Sequence, residues 1–208
     1  MKRIEIELPF AGFYESWHDK NIDDAIEQNF WDDDGNVPED IYNKIWEADI
    51  NWSAIQNEYC KEFTEQFGHH FGLDLKFIEM TSPREYNFQT DRIFASIPAT
   101  QINKIRKEVE SYPEWPEVIR ERYTSRDGFW SHYSNDHKDD EWTRPVLDEC
   151  QYETMLLAWL DHHHKEDPLN EREWSDLEYE LVEDIEVASF SSYNDAIDAI
   201  NKVTTEAK

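Results

Sequence analysis

The excess of acidic side chains is the feature that most constrains how this chain can fold. Its 208 residues include 48 Asp and Glu against 20 Lys and Arg, which gives a formal net charge of −28. Ionised carboxylates are costly to bury without partners, so a folded form must keep nearly all of them at its surface. High charge combined with only 38% apolar residues is otherwise typical of disordered chains.

Aromatic residues supply the material for a core that can offset this charge. The chain contains nine Trp, ten Tyr and eleven Phe, each of which can bury a large area. Five glycines and eight prolines are too few for a low-complexity linker protein. The length favours one core over two small ones. The sequence therefore predicts a single folded domain over residues 1–208, with carboxylates covering its surface.

Alternating apolar residues predict a small sheet. Ile4, Ile6 and Leu8 have the period of a half-buried strand. Two further alternating segments, joined at Ser82-Pro83, predict a central β-hairpin. The stretch "IEVASF" near the C-terminus is a candidate for one more strand. With helical patterns between these segments, we expect an α+β fold with a small, mainly antiparallel sheet packed with several helices.

Helical spacing of apolar residues predicts the remaining elements. One helical pattern begins at Pro38, includes Trp46, and continues to Gly68, with a candidate break near residues 50–51. Near the C-terminus, Ser192 and Asp195 are spaced like a capping box that would begin the last helix.

The acidic residues are concentrated in two blocks. Residues 15–49 contain 12 acids and 2 bases, and residues 135–186, predicted to be largely helical, contain 18 acids and 4 bases. Between the blocks, residues 76–126 contain 8 acids and 9 bases. This asymmetry predicts a strongly negative surface on part of the molecule. It argues against direct nucleic-acid binding, since binding phosphates requires surplus Lys and Arg.

Several classes of function lack their motifs. The sequence has no GxxxxGK, GxGxxG or GxSxG pattern, which argues against nucleotide-dependent and serine-hydrolase chemistry, and no cofactor is predicted. Two cysteines, Cys60 and Cys150, favour buried free thiols in a reducing compartment. The sequence contains no run of 18 apolar residues, so no membrane span is predicted and a cytoplasmic location is expected. A non-enzymatic function is favoured.

Histidines raise two metal-site hypotheses. The tract His162–His164 places three imidazoles in succession, but consecutive helical residues point about 100° apart and cannot converge on one ion. Asp161 and Lys165 within the same stretch have the i,i+4 spacing of a surface pair. The loop at residues 132–140 can bring ligands together more easily. Its residues His132, Asp136 and His137 define an alternative function as a metal-dependent hydrolase.

Two short stretches indicate an origin. "SPREYNFQTDRIF", residues 82–94, and "FAGFYESWHD", residues 10–19, resemble segments of small, acidic, mostly uncharacterised proteins encoded by phages and prophages. The resemblance covers roughly the first half of the chain and brings no catalytic residues with it. It implies a viral or mobile-element source, and hence action in the host cytoplasm.

The acidic blocks predict a protein partner with a basic surface. Carboxylates four residues apart on a helix lie ~6 Å apart and can imitate a row of phosphates. We expect a nucleic-acid mimic that inhibits a basic, nucleic-acid-binding host protein such as a defence nuclease; the alternative is a phage accessory protein that binds a partner without mimicry. The oligomeric state is left open. The predicted partner-binding residues are Glu171, Glu173, Asp176, Glu178, Glu180, Glu183, Asp184 and Glu186 in one helix, Asp139 and Asp140 before it, and Asp32, Asp33 and Asp34 in the first block. Among the tryptophans, Trp115, Trp130, Trp142 and Trp174 are candidate anchors for a partner.

Overall fold

The computed structural model describes residues 1–9, 22–81, 92–113, 151–166 and 171–205. Within these residues the fold is α+β, as predicted, with a three-stranded antiparallel sheet and seven α-helices. The elements in chain order are β1 (Arg3–Glu7), α1 (22–28), α2 (Glu39–Glu47), α3 (Trp52–Phe71), β2 (Lys76–Thr81), β3 (Arg92–Pro98), α4 (Ala99–Val109), α5 (Gln151–His164), α6 (Glu171–Glu183) and α7 (Ser191–Thr205).

The sheet has the strand order β1-β3-β2, so the predicted hairpin strands are neighbours and the N-terminal strand pairs with the second of them. Ala95 in β3 lies opposite both Ile6 in β1 and Phe77 in β2. Along β3, Ile93, Ala95 and Ile97 are fully buried, whereas the residues between them are half-buried. The alternation shows that one face of the sheet covers the core, which confirms the strand predictions for this region.

Helix α3 is the central element of the core. Its side chains at Ile55, Tyr59, Phe63, Phe67 and Phe71 are buried and recur every four residues along one face. The helical pattern that begins after Pro38 is interrupted, as predicted, near residues 50–51. The side chain of Asn51 accepts a hydrogen bond from the backbone N–H of Ala54 at 3.2 Å and thereby caps α3.

The prediction of a C-terminal strand in "IEVASF" is wrong. Val187–Ser189 form a 3₁₀ turn, in which the N–H of Phe190 donates to the carbonyl of Val187 at 3.0 Å. Val187 and Phe190, three residues apart, are both buried. Ile185 and Val187 have the alternating spacing of a strand, but both are buried because the chain makes a tight turn after α6.

The prediction that Ser192 and Asp195 form a capping box at the last helix is also wrong. Helix α7 begins at Ser191, and its first turn is bound by a carboxylate from α3 instead of by Asp195, which is exposed. Glu58 accepts hydrogen bonds from the hydroxyl of Ser191 at 2.8 Å and from the N–H and hydroxyl of Ser192 at 3.1 and 2.6 Å. A side chain distant in sequence therefore supplies the cap.

Several predictions fall on residues that the structure does not describe. These include residues 10–19 and most of 82–94, which carry the resemblance, and the predicted helix and loop in 114–150. In the described part of the chain, no helix is both long enough and apolar enough to cross a membrane.

Candidate interaction surface

Helix α6 divides its acidic side chains between an outer and an inner face. Asp176, Glu180 and Glu183 are exposed, and their i, i+4, i+7 spacing places them on one side of the helix. Asp184 and Glu186, which follow the helix, are exposed as well. Among the described side chains, these five positions are the part of the predicted acidic display in α6 and the turn after it that faces solvent.

Two further predicted acids of α6, Glu173 and Glu178, are less accessible than these. Glu178 is only 6% exposed, because it lies one turn after buried Trp174 and one turn before buried Leu181 and Val182. Glu173 is half-buried, and its Oε2 atom has no hydrogen-bond partner among the described residues. Glu178 is therefore not part of an exposed display, which corrects that prediction, whereas Glu173 is only partly accessible. The side chain of Glu171 lies outside the described part of the structure.

A buried charged cluster fixes α6 against α5. The Nζ atom of Lys165 lies 3.6 Å from Oδ1 of Asp161, and both side chains are 3% exposed. The indole N–H of Trp174 donates to the same carboxylate oxygen, and Lys165 Nζ lies 5.0 Å from the centroid of the Trp174 rings. The predicted i,i+4 pair between Asp161 and Lys165 forms, but it is buried and not at the surface. Trp174 is also buried and packs in the core, so it is not an exposed anchor for a partner. This cluster determines which face of α6 points outward.

The imidazoles at the end of α5 diverge, as the helical geometry predicted. His163 pairs with the carboxylate of Glu108 on α4, and the ring of His162 lies 4.3 Å from that of Tyr112. The ring of His164 lies 5.0 Å from that of Phe71. Among the described residues, no group of three or more His, Cys, Asp or Glu side chains could hold a metal ion.

The pKa shifts of Glu108 and His164 reflect the contacts that the histidines make at the end of α5. The pKa of Glu108 is lowered, chiefly because His163 donates a hydrogen bond to its carboxylate. The pKa of His164 is lowered by burial and by the nearby charges of His163 and His70. These contacts join α4 and α5 to the end of α3, so the tract has a structural role.

Within the first acidic block, residues 32–36 form a turn that precedes α2. Oδ1 of Asp32 accepts from the N–H groups of Asp34 and Asn36, each at 2.9 Å, and Gly35 supplies the positive φ of 77° that the turn requires. Asp32, Asp33 and Asp34 are all exposed, as the predicted display requires.

Sequence reasoning missed an exposed aromatic pair on α2, the helix that follows this turn. Trp46 is 73% exposed and Tyr42 44% exposed, and their rings meet edge to face with centroids 6.3 Å apart. The signal was present in the sequence. Ile41 and Ile45 define the inward stripe of α2, so a side chain one residue later is rotated about 100° away from it.

The remaining candidates lie outside the described residues: Asp139 and Asp140 of the predicted display, and His132, Asp136 and His137 of the alternative metal site. Comparison with protein-family models, with curated proteins and with solved structures finds no match for this chain.

Proposed function

We propose that the protein binds the basic, nucleic-acid-binding surface of another protein and inhibits it by imitating nucleic acid. The observation that carries the proposal is the outer face of α6, where Asp176, Glu180 and Glu183 are exposed together and Asp184 continues the row. The buried cluster around Asp161 holds this helix in place, so the carboxylates are presented by a rigid element.

The density of charge on this face supports mimicry. Residues 176–184 span roughly 12 Å at 1.5 Å per residue, so the average axial spacing of their four exposed carboxylates is about 4 Å. One strand of B-DNA carries a charge every ~3.4 Å. A basic groove that binds one phosphate strand would therefore meet a similar row of charges along α6.

The charge of the whole chain supports the same class of partner. A net charge of −28 repels nucleic acid and attracts basic proteins, whose association it would accelerate in a salt-dependent way. The resemblance to phage-encoded proteins favours a host defence nuclease or a related nucleic-acid enzyme as the target. An accessory protein that binds a partner without mimicry is the alternative, and competition by nucleic acid distinguishes the two.

The first experiment identifies the partner. The tagged full-length protein is used to capture proteins from a host lysate at low and at high salt, and captured proteins are challenged with duplex DNA. We expect a basic, nucleic-acid-binding protein that both DNA and high salt displace. Partners that are neutral or acidic and that neither salt nor DNA displaces would overturn mimicry and favour the alternative.

The second experiment locates the surface. Replacing Asp176, Glu180, Glu183 and Asp184 with Asn or Gln removes four charges from the α6 face while the helix keeps its buried contacts. We expect the affinity for the captured partner to fall by about tenfold or more, since these carboxylates would lie opposite basic side chains.

A charge-matched variant controls for the loss of net charge. It neutralises four exposed acids on other elements, namely Glu5, Glu65, Glu79 and Asp198. If charge at large distance is all that matters, both variants will weaken binding equally, and the assignment to α6 is wrong.

A further inference from the structure

The outer face of α2 is a second surface whose chemistry indicates a partner. Its side chains at Glu39, Asp40, Tyr42, Trp46 and Glu47 are exposed. At 100° per residue, these positions fall within an arc of about 160°. The opposite side carries Ile41, which is half-buried, and Ile45, which is buried in the core.

An aromatic stripe is the distinctive feature of this face. Tyr42 and Trp46 are one turn apart, and their rings are in contact with an interplanar angle of 65°. Trp46, at 73% exposure, leaves most of its side chain in water, although Trp is usually buried to a large extent. Tyr and Trp side chains are large and rigid and lose little conformational entropy on binding, so they often anchor protein interfaces.

Acidic residues lie on one side of the stripe, and exposed Asn43 lies between the stripe and the more distant of them. Glu39 lies close to the line of the stripe, one turn before Tyr42, and Asp40 and Glu47 form a second row about 100° or more round the helix. Lys44, the basic residue of this helix, is half-buried and falls outside the exposed arc. An incoming group would meet aromatic faces and carboxylates together.

We propose that the outer face of α2 is a docking site for an arginine-bearing segment of a partner protein. A guanidinium group is planar and stacks on Trp and Tyr rings, and it donates two parallel hydrogen bonds to a carboxylate. A lysine ammonium satisfies the carboxylates but matches the rings less well. The combination on α2 therefore selects arginine over lysine, which a purely acidic surface does not do.

The proposal does not depend on mimicry by α6. The α6 face presents carboxylates with Tyr179 as its exposed ring, whereas α2 presents two contacting rings bordered by acids. An arginine-bearing segment could belong to a nucleic-acid-binding enzyme or to a protein of another class. Failure at α2 would leave the α6 proposal intact, and the reverse also holds.

The test uses the full chain and two synthetic probes of equal charge. One is a short peptide of alternating arginine and glycine, and the other replaces every arginine with lysine. Affinities are measured by calorimetry at low salt, and the indole N–H resonances are followed by NMR with Trp46→Ala used for assignment. We expect the arginine peptide to bind about threefold or more tightly than the lysine peptide, and to shift the Trp46 resonance.

Variants locate the preference. Trp46→Ala should lower the affinity for the arginine peptide by about fivefold and leave the lysine peptide nearly unchanged, so that the preference disappears. Because Trp46 is exposed, the variant should keep the unfolding transition of the parent protein. The variant with Asp176, Glu180, Glu183 and Asp184 neutralised should keep the preference for arginine.

Three outcomes would overturn the proposal. Equal binding of the two peptides would show that charge alone governs the surface. A preference that persists in Trp46→Ala would place the site elsewhere. If neither peptide binds and sedimentation shows a dimer that Trp46→Ala dissociates, the face is covered by a second copy of the chain.

Discussion

At the scale of single residues, Glu58 shows how a carboxylate in this acidic chain becomes structural. It binds three donors in the first turn of α7, where the helix dipole also favours negative charge. Burial by itself raises the pKa of Glu58, but the hydrogen bonds from Ser192 and Ser191 and the charge of Lys61 outweigh burial, so the pKa is lowered from 4.5.

Replacing Glu58 should therefore cost stability in a pH-dependent way. Glu58→Gln loses the charged acceptor, and we expect the free energy of unfolding at pH 7 to fall by about 1 kcal/mol in urea titrations. Because the folded-state pKa lies below the unfolded value of 4.5, the contribution of Glu58 is complete above that pH. It is lost as the pH falls through the folded pKa, so the two proteins should converge in acid. Glu65→Gln, an exposed acid on the same helix, is the control; equal losses in both variants would contradict the role of the cap.

Gly68 is a second position where one atom matters. A Cβ atom there would lie 2.7 Å from the carbonyl oxygen of Leu73, because the chain after α3 turns back against the helix. Helix propensity favours alanine over glycine by about 1 kcal/mol, so the steric cost must exceed that gain for Gly68→Ala to destabilise. We expect a net loss of about 1–2 kcal/mol in urea unfolding. Gly72→Asn is the comparison, since Gly72 has a φ of 65° with open space around it and Asn tolerates that conformation. A larger loss at Gly72 than at Gly68 would refute the packing argument.

At the scale of elements, α6 contacts a buried ion pair at the end of α5 through Trp174. Lys165→Met leaves the Asp161 carboxylate buried without its ammonium partner, and we expect a loss of about 3 kcal/mol in the free energy of unfolding. Adding Asp161→Asn removes the stranded charge and should restore part of that loss. The measurement is a double-mutant cycle by urea denaturation. Additive effects of the two substitutions would show that the charges do not interact.

The elements also show what a single sequence can and cannot predict. Periodicity predicted the hairpin, the break before α3 and the course of α6, because those features depend on local spacing. It could not show that Asp161 and Lys165 are buried, since their burial depends on tertiary packing that includes Trp174 of α6. The capping carboxylate of α7 was out of reach for the same reason, because Glu58 precedes Ser192 by 134 residues. The exposed position of Trp46, by contrast, follows from the phase of its own helix and was predictable.

At the scale of the whole molecule, the net charge of −28 has opposite effects on folding and on binding, because the carboxylates repel one another in the folded protein but attract a basic partner. Raising the salt concentration from about 10 mM to about 150 mM shortens the Debye length from ~30 Å to ~8 Å, which weakens repulsion between distant carboxylates. We expect the melting temperature to rise by about 3 °C or more, equivalent to about 1 kcal/mol for a chain of this size.

The same salt should weaken the proposed complex, because its attraction to a basic partner is screened in the same way. Stability and affinity therefore respond to salt with opposite signs, and calorimetry of the free protein beside titrations of the complex measures both. Neutralising Asp176, Glu180, Glu183 and Asp184 should reduce both responses, since those charges contribute to repulsion in the free protein and to attraction in the complex. A melting temperature that does not change with salt concentration would show that the basic side chains already compensate the acids. An affinity that ignores salt would show that charge does not drive binding.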